Sequence, residues 1–233
     1  LLCSGVSQRR IARLLRLNRK TVVKKFLFLA QQAQMRHQAY LNSLAQKSKK
    51  IDAIHFDEME SYEHSKCLPL SIPLAVETGT RKILSFRVCK MPANGLLARI
   101  SVKKYGPRTD DRAQAADEVF SDIRSVLESQ VSISSDQNPK YPNWIKRHFH
   151  RAIHFAYKGR RGCIAGQGEL KKIGFDPLFD LNHTAAMIRA NVNRLFRKTW
   201  CTTKRADRLL DHLLIFAEYY NTVLLPLRWA TQV

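Results

Sequence analysis

The chain has 233 residues, 45% of them hydrophobic, enough apolar material for a large packed domain, which excludes wholesale disorder. Lysine and arginine number 40 against 19 acidic residues, a formal charge of +21, so the expected partner is a polyanion whose counterions are released on binding. The five cysteines are scattered without a CxxC pair, which argues against a disulfide framework or zinc ribbon and for a reduced, cytoplasmic setting, and no apolar run is long enough for a membrane span.

The chain opens Leu1-Leu2-Cys3 without methionine, so an upstream segment is expected. Residues 1–50 hold twelve Lys or Arg and no acid. Ser7 is a suitable N-cap for a helix over Gln8–Leu15, Leu17-Asn18 suits a turn, and a second short helix follows over Arg19–Phe26. Ile11, Ala12, Leu15, Leu17, Val22 and Phe26 are expected to bury one another, giving a helix-turn-helix whose second helix enters the major groove. Arg9, Arg10, Arg19, Lys20 and Thr21 are the candidate DNA contacts, with Lys24 and Lys25 suited to phosphates. An ordinary basic hairpin is the alternative, and Arg16 stands where a glycine is often found. Residues 27–50 read as a further helix, either a connector or a dimerisation element.

From Ile51 the pattern becomes strand-like. Ile51–Phe56 meets the acids Asp57-Glu58; Leu68–Glu77 and Arg81–Val88 follow, joined by the turn Thr78-Gly79-Thr80, and form a meander. Pro69 and Pro73 predict that the second strand is an edge or irregular strand. Residues 91–112 read as loop, Ala113–Gln130 as an amphipathic helix burying Ala116, Val119, Phe120, Ile123 and Leu127, and Val131–Ser135 as a strand that delivers Asp136. If these strands are neighbours, Asp57 and Asp136 share one space, and two carboxylates there repel unless a cation lies between them. Two Mg2+ or Mn2+ ions, about 3.5–4 Å apart, suit such oxygen ligands and phosphoryl transfer. Acids that merely cap strand ends are the alternative.

Lys140 to Arg205 contains fifteen Lys or Arg against Glu169, Asp176 and Asp180. Arg147, Arg151, Lys158, Arg160 and Arg161 flank a strand candidate, Ala152–Tyr157. Arg189, Arg194, Arg197 and Lys198 are placed on a helix that buries Ala185, Ile188, Val192 and Leu195. A cationic channel for the DNA backbone is expected there. His148, His150, His154 and His183 lack zinc-site spacing with any cysteine. An apolar helix over Arg208–Tyr220 should close the core or join a partner subunit.

Four stretches in this order, Val6 to Phe26, Phe56 to Tyr62, Ile133 to Asp136 and Asn182 to Lys204, resemble the DDE transposases of bacterial insertion sequences, with a closing Glu218-Tyr219-Tyr220-Asn221 block. The resemblance implies a helix-turn-helix module over 1–29, a connector helix over 30–50, a ribonuclease-H-like α/β catalytic domain with a mixed sheet over 51–205, and a C-terminal helix over 206–233. It also implies three acids holding two divalent ions, DNA as partner at element ends and target, homo-oligomers, and no membrane or nucleotide cofactor. Asp57 matches the first acid and Asp136 the second. The third belongs at the start of a helix after the fifth strand, where Asn182 stands; Glu169, 33 residues beyond Asp136, is the favoured third ligand. Glu58 is a weaker candidate, because a continuing strand points it to the opposite face. The rival reading is a non-catalytic DNA-binding protein, a decayed transposase or a regulator. A general RNA-binding protein comes third.

Overall fold

The computed structural model describes residues 1–158, 176–196 and 202–230, the side chains of 228–230 excepted. Ser7 accepts a hydrogen bond from Arg10 N and caps α1 (Gln8–Leu14). Arg16 then adopts a left-handed conformation, φ 52°, at the position where glycine was looked for, and Leu17 N closes back on Ala12 O. Asn18 caps α2 (Arg19–Ala45) by accepting from Lys20 N at 2.8 Å. Nothing in this 27-residue stretch is a helix breaker, so α2 runs unbroken through the boundary expected at residue 29.

Ile11, Ala12 and Val22 do pack together between α1 and α2, with Leu2 and Val6 against them. Leu15 and Leu17, expected in that core, are 52% and 46% exposed. The reason is geometric: α1 ends at Leu14, and the chain turns before either leucine faces α2. Phe26 belongs to a larger core below.

Six strands form one mixed sheet: β1 (Ile51–Tyr62), β2 (Pro69–Glu77), β3 (Ile83–Phe86), β4 (Cys89–Lys90), β5 (Leu127–Asp136) and β6 (Ile153–Tyr157). Their order is β3-β2-β1-β5-β6, with β4 also paired to β2. The pairs β1/β2, β2/β3 and β2/β4 are antiparallel, whereas β1/β5 and β5/β6 are parallel. β2 is therefore interior rather than an edge strand, but it is irregular, as its prolines also allowed: its register with β3 shifts between Ala75 and Val76. Pro69 is its first residue, and Pro73 faces the gap where the flanking ladder passes from β4 to β3. There its carbonyl accepts from Arg87 N at 3.1 Å and no N–H is called for.

The remaining helices are α3 (Leu96–Tyr105), α4 (Arg112–Ile123), α5 (Tyr141–His148), α6 (Phe179–Asn191), α7 (Ala206–Tyr219) and α8 (Leu225–Ala230), the last two joined by a π turn, Tyr220–Leu224. α3 occupies the segment read as loop. α4 stops seven residues short of the expected end because Leu127 pairs with Ile51 and the chain is already β5.

Alternation along the strands feeds two cores. Leu70, Ile72, Leu74 and Val76 of β2 join Met59 of β1, Phe26, Ala30 and Ala33 of α2, and the apolar stripes of α6 and α7. Ile54, Phe56, Ala75 and Leu84 pack with α4 and α5 on the other face. Leu41 carries α2 into this second core, and His37 ties the helix to the sheet through Leu84 O at 2.7 Å. Leu209, Leu213, Phe216 and Tyr220 are buried in the first core, so the C-terminal helix closes the fold. Asn221 pairs through both side-chain atoms with the backbone of Ile83, each at 2.9 Å. The architecture is α/β: an open mixed sheet with helices on both faces.

Candidate functional site

β1 is longer than its parallel neighbour. Its last partner on β5 is His55, opposite Ser134, and the residues beyond continue along β2 alone. Two positions further on each strand stand Asp57 and Asp136. Parallel strands in register turn such residues to the same face, so the two acids face one space at the edge where β5 ends. β1 does not stop at Phe56 as expected; Asp57 lies inside it.

Each carboxylate is held through one oxygen. Asp57 Oδ1 accepts from Glu58 N at 2.7 Å and from the Tyr141 hydroxyl at 2.9 Å. Asp136 Oδ1 accepts from Asn138 N at 3.0 Å in an Asx turn that leads to Lys140 and α5. Neither Oδ2 receives a hydrogen bond among the described residues. Burial, then the nearby charge of Asp136, pushes Asp57 up to about 6, against the lowering effect of its two donors.

Tyr141 is 1% exposed and packs edge-on against Phe56. Burial and the charges of Asp57, Glu58 and Asp136 all push its phenol upward, so it stays a donor. Its hydroxyl also lies 3.3 Å from Glu58 Oε2. Glu58 shares the face of Phe56, away from Asp57, as strand alternation requires. A phenol at the open edge of β1 nevertheless reaches both side chains. Ser71 Oγ donates to Glu58 Oε1 at 2.6 Å, and burial raises the Glu58 carboxyl. Beside this group Asp110 is clasped by Arg112, at 2.7 Å to each oxygen, and by Lys140 Nζ at 3.2 Å.

The candidate third ligands divide. Glu169 lies outside the described residues. Asn182 belongs to the first turn of α6, donates to Asp176 Oδ2 at 2.9 Å, and makes no hydrogen bond to Asp57 or Asp136. The start of α6 does overlook their face, because the charges of Asp180 and Asp176 act on His55, two residues before Asp57. Among the described residues no group of three or more His, Cys, Asp or Glu side chains could hold a metal ion.

The candidate DNA contacts also divide. Arg9, Arg10, Arg19, Lys20, Thr21, Lys24 and Lys25 are all exposed on α1 and α2, and none of the cations enters an ion pair among the described residues. Arg194 departs from expectation. α6 ends at Asn191, so Arg194 falls in a 3-10 turn, half-buried, with its guanidinium 5.5 Å from the Phe26 ring centre. Arg189 is half-buried on α6, and Arg197 and Lys198 lie outside the described residues.

Sequence reasoning missed Tyr141, Lys140 and Arg112. A signal for the first two existed: Pro142 marks a helix start five residues after Asp136, which brings the preceding side chains back to the acid.

The described cysteines, Cys3, Cys67 and Cys89, are buried free thiols. No helix among the described residues is long and apolar enough to cross a membrane. Compared with known proteins, the chain matches no protein-family model and no curated protein.

Proposed function

We propose that the chain is a DDE-type insertion-sequence transposase, a cytoplasmic enzyme that cleaves and transfers DNA strands with divalent metal at Asp57 and Asp136. One observation carries the reading: two acids from adjacent parallel strands face one space, repel each other, and each keep one oxygen uncommitted. The strand order, with three antiparallel strands followed by two parallel ones, supports a ribonuclease-H-like core. The excess of 40 Lys and Arg over 19 acids supports a DNA partner.

The residues present fit the implied Mg2+ or Mn2+ ions: hard carboxylate oxygens, already mutually destabilised, gain from a cation between them. Glu169 is the proposed third ligand and Asn182 its rival. A bound ion supplies charge neutralisation and lowers the pKa of attacking water. Asp57 and Asp136 fix where that charge sits, Tyr141 and Glu58 N hold Asp57 in one orientation, and Asn138 N does the same for Asp136. In the reaction, water oxygen bonds to phosphorus and a 3′-oxygen leaves; that 3′-hydroxyl then attacks a target phosphodiester, releasing another. Homo-oligomers would pair the two element ends.

The test is nicking of DNA by the full chain in Mn2+ or Mg2+. Asp57→Ala and Asp136→Ala should each abolish it while leaving DNA binding intact. Nicking that persists in both variants overturns the assignment. The second reading, a DNA-binding protein without cleavage, is favoured by the uncharged Asn182 at the start of α6, where the resemblance looks for the third acid; it predicts binding by the parent chain and no nicking in either metal.

A further inference from the structure

The chain from residue 78 to residue 109 contains eight Lys or Arg and no Asp or Glu. Several of these cations are neutralised by the fold: Arg81 pairs with Asp180, Arg87 with Glu118 and Asp122, and Arg108 with Glu63. Arg99, Lys103 and Lys104, all on α3, form no ion pair among the described residues.

α3 is also the helix with the most unusual exposure. Of its ten residues only Ser101 is buried. Leu96 is 94% exposed, Val102 56% and Ile100 52%. Leu96, Arg99, Ile100 and Lys103 follow i, i+3, i+4 spacing and so share the outward face. Apolar and cationic side chains are interleaved there.

The helix is nonetheless fixed in place. Ser101 Oγ donates to Cys67 O at 2.6 Å, and Tyr105 packs edge-on against His64, so α3 rests on the connection between β1 and β2. Gly106, at φ 79°, ends it with its N–H on Val102 O. The segment that follows is anchored by Arg108, which donates to Glu63 and to Pro69 O, each at 3.1 Å. It then reaches Asp110, which holds Lys140, four residues after Asp136. α3 and this strap therefore run from the overhanging tip of β1 to the loop that follows Asp136.

We infer that the outer face of α3 is a DNA-docking surface, with Arg99, Lys103 and Lys104 on backbone phosphates and Leu96 and Ile100 against sugars or splayed bases of the strand led to Asp57 and Asp136. Charge complementarity selects a polyanion. Interleaving selects a nucleic acid strand, which alternates phosphates with apolar surfaces, over a lipid surface, against which a helix segregates its charged and apolar faces. An apolar side chain at the start of a protruding helix is also the type used as a wedge between bases. The inference rests on DNA as the ligand of this chain and is independent of the cleavage chemistry.

The test is binding of the full chain to duplex DNA by fluorescence anisotropy across a salt series. Arg99→Ala/Lys103→Ala/Lys104→Ala should reduce the slope of log K against log salt by about 2 to 3, since each phosphate contact contributes about 0.9. Leu96→Ser should weaken binding several-fold and leave the slope unchanged. All four side chains are exposed, and circular dichroism should match the parent. A parent slope that survives the triple substitution overturns the inference while leaving the transposase reading standing. So does a triple variant that loses binding to phosphatidylserine vesicles and keeps its DNA affinity. Conversely, a lowered slope in a chain that never nicks DNA upholds the surface and removes only the catalytic reading.

Discussion

Asp57 is an acid whose proton is held more tightly in the folded chain than in the unfolded one. Its folded value of about 6 stands above the ordinary 3.8. The group therefore favours the folded state least when ionised: its penalty is absent below pH 4 and fully expressed once pH has risen through 6. A shift of this size corresponds to about 3 kcal/mol. In metal-free buffer Asp57→Asn should gain on the parent by roughly that amount between pH 4 and pH 7.5, read by urea unfolding. A gap that stays constant over this range would remove the electrostatic account of the pair. Asp57 and Asp136 were both visible in the sequence, because an acid after an apolar strand is a local pattern. Tyr141 was only half legible: Pro142 marks its helix start after Asp136, but its reach to Asp57 depends on β1 outrunning β5, and no local pattern encodes where a neighbouring strand stops. The helical placement of Arg194 was misread for a related reason: its surroundings are set by Phe26, which comes from a distant part of the chain.

Among the elements, α2 joins what the sequence divides. Its first turns carry the exposed cations, and the same helix buries Phe26, Ala30 and Ala33 in the first core and Leu41 in the second. Phe26 packs edge-on with His212 and lies under Arg194. Phe26→Ala should destabilise the whole fold by about 3–5 kcal/mol, lowering the urea midpoint for core and N-terminal probes together. Separate transitions for the two regions would mean that the helix-turn-helix segment is an independent unit. The Ser7 cap was legible because capping is local chemistry, whereas Asn18, read only as a turn residue, also proves to cap α2. The interior position of β2 was not legible, since the place where β4 gives way to β3 decides whether Pro73 is tolerated. The expected loop over 91–112 hid α3 because a helix with nearly every side chain exposed shows no clean apolar period.

Taken as a whole, the molecule sets a strongly cationic exterior around two acids that it holds close together. A charge of +21 spread over the chain favours the proposed polyanionic partner and says nothing of sequence preference. The meander was readable from strand periods and turn residues, while the α/β class with its mixed sheet was implied by the family resemblance. The pairing of β1 with β5, which makes the site, required the fold, because the two strands are separated in sequence by β2, β3, β4 and two helices. The central claim is that this pairing builds a divalent-metal site. The most direct measurement is Mn2+ binding to the full chain, followed by electron paramagnetic resonance of the free ion. The account predicts saturable binding by the parent that is lost or severely weakened in both Asp57→Asn and Asp136→Asn, with the fold intact by circular dichroism. Equal Mn2+ binding by the parent and both variants would contradict it.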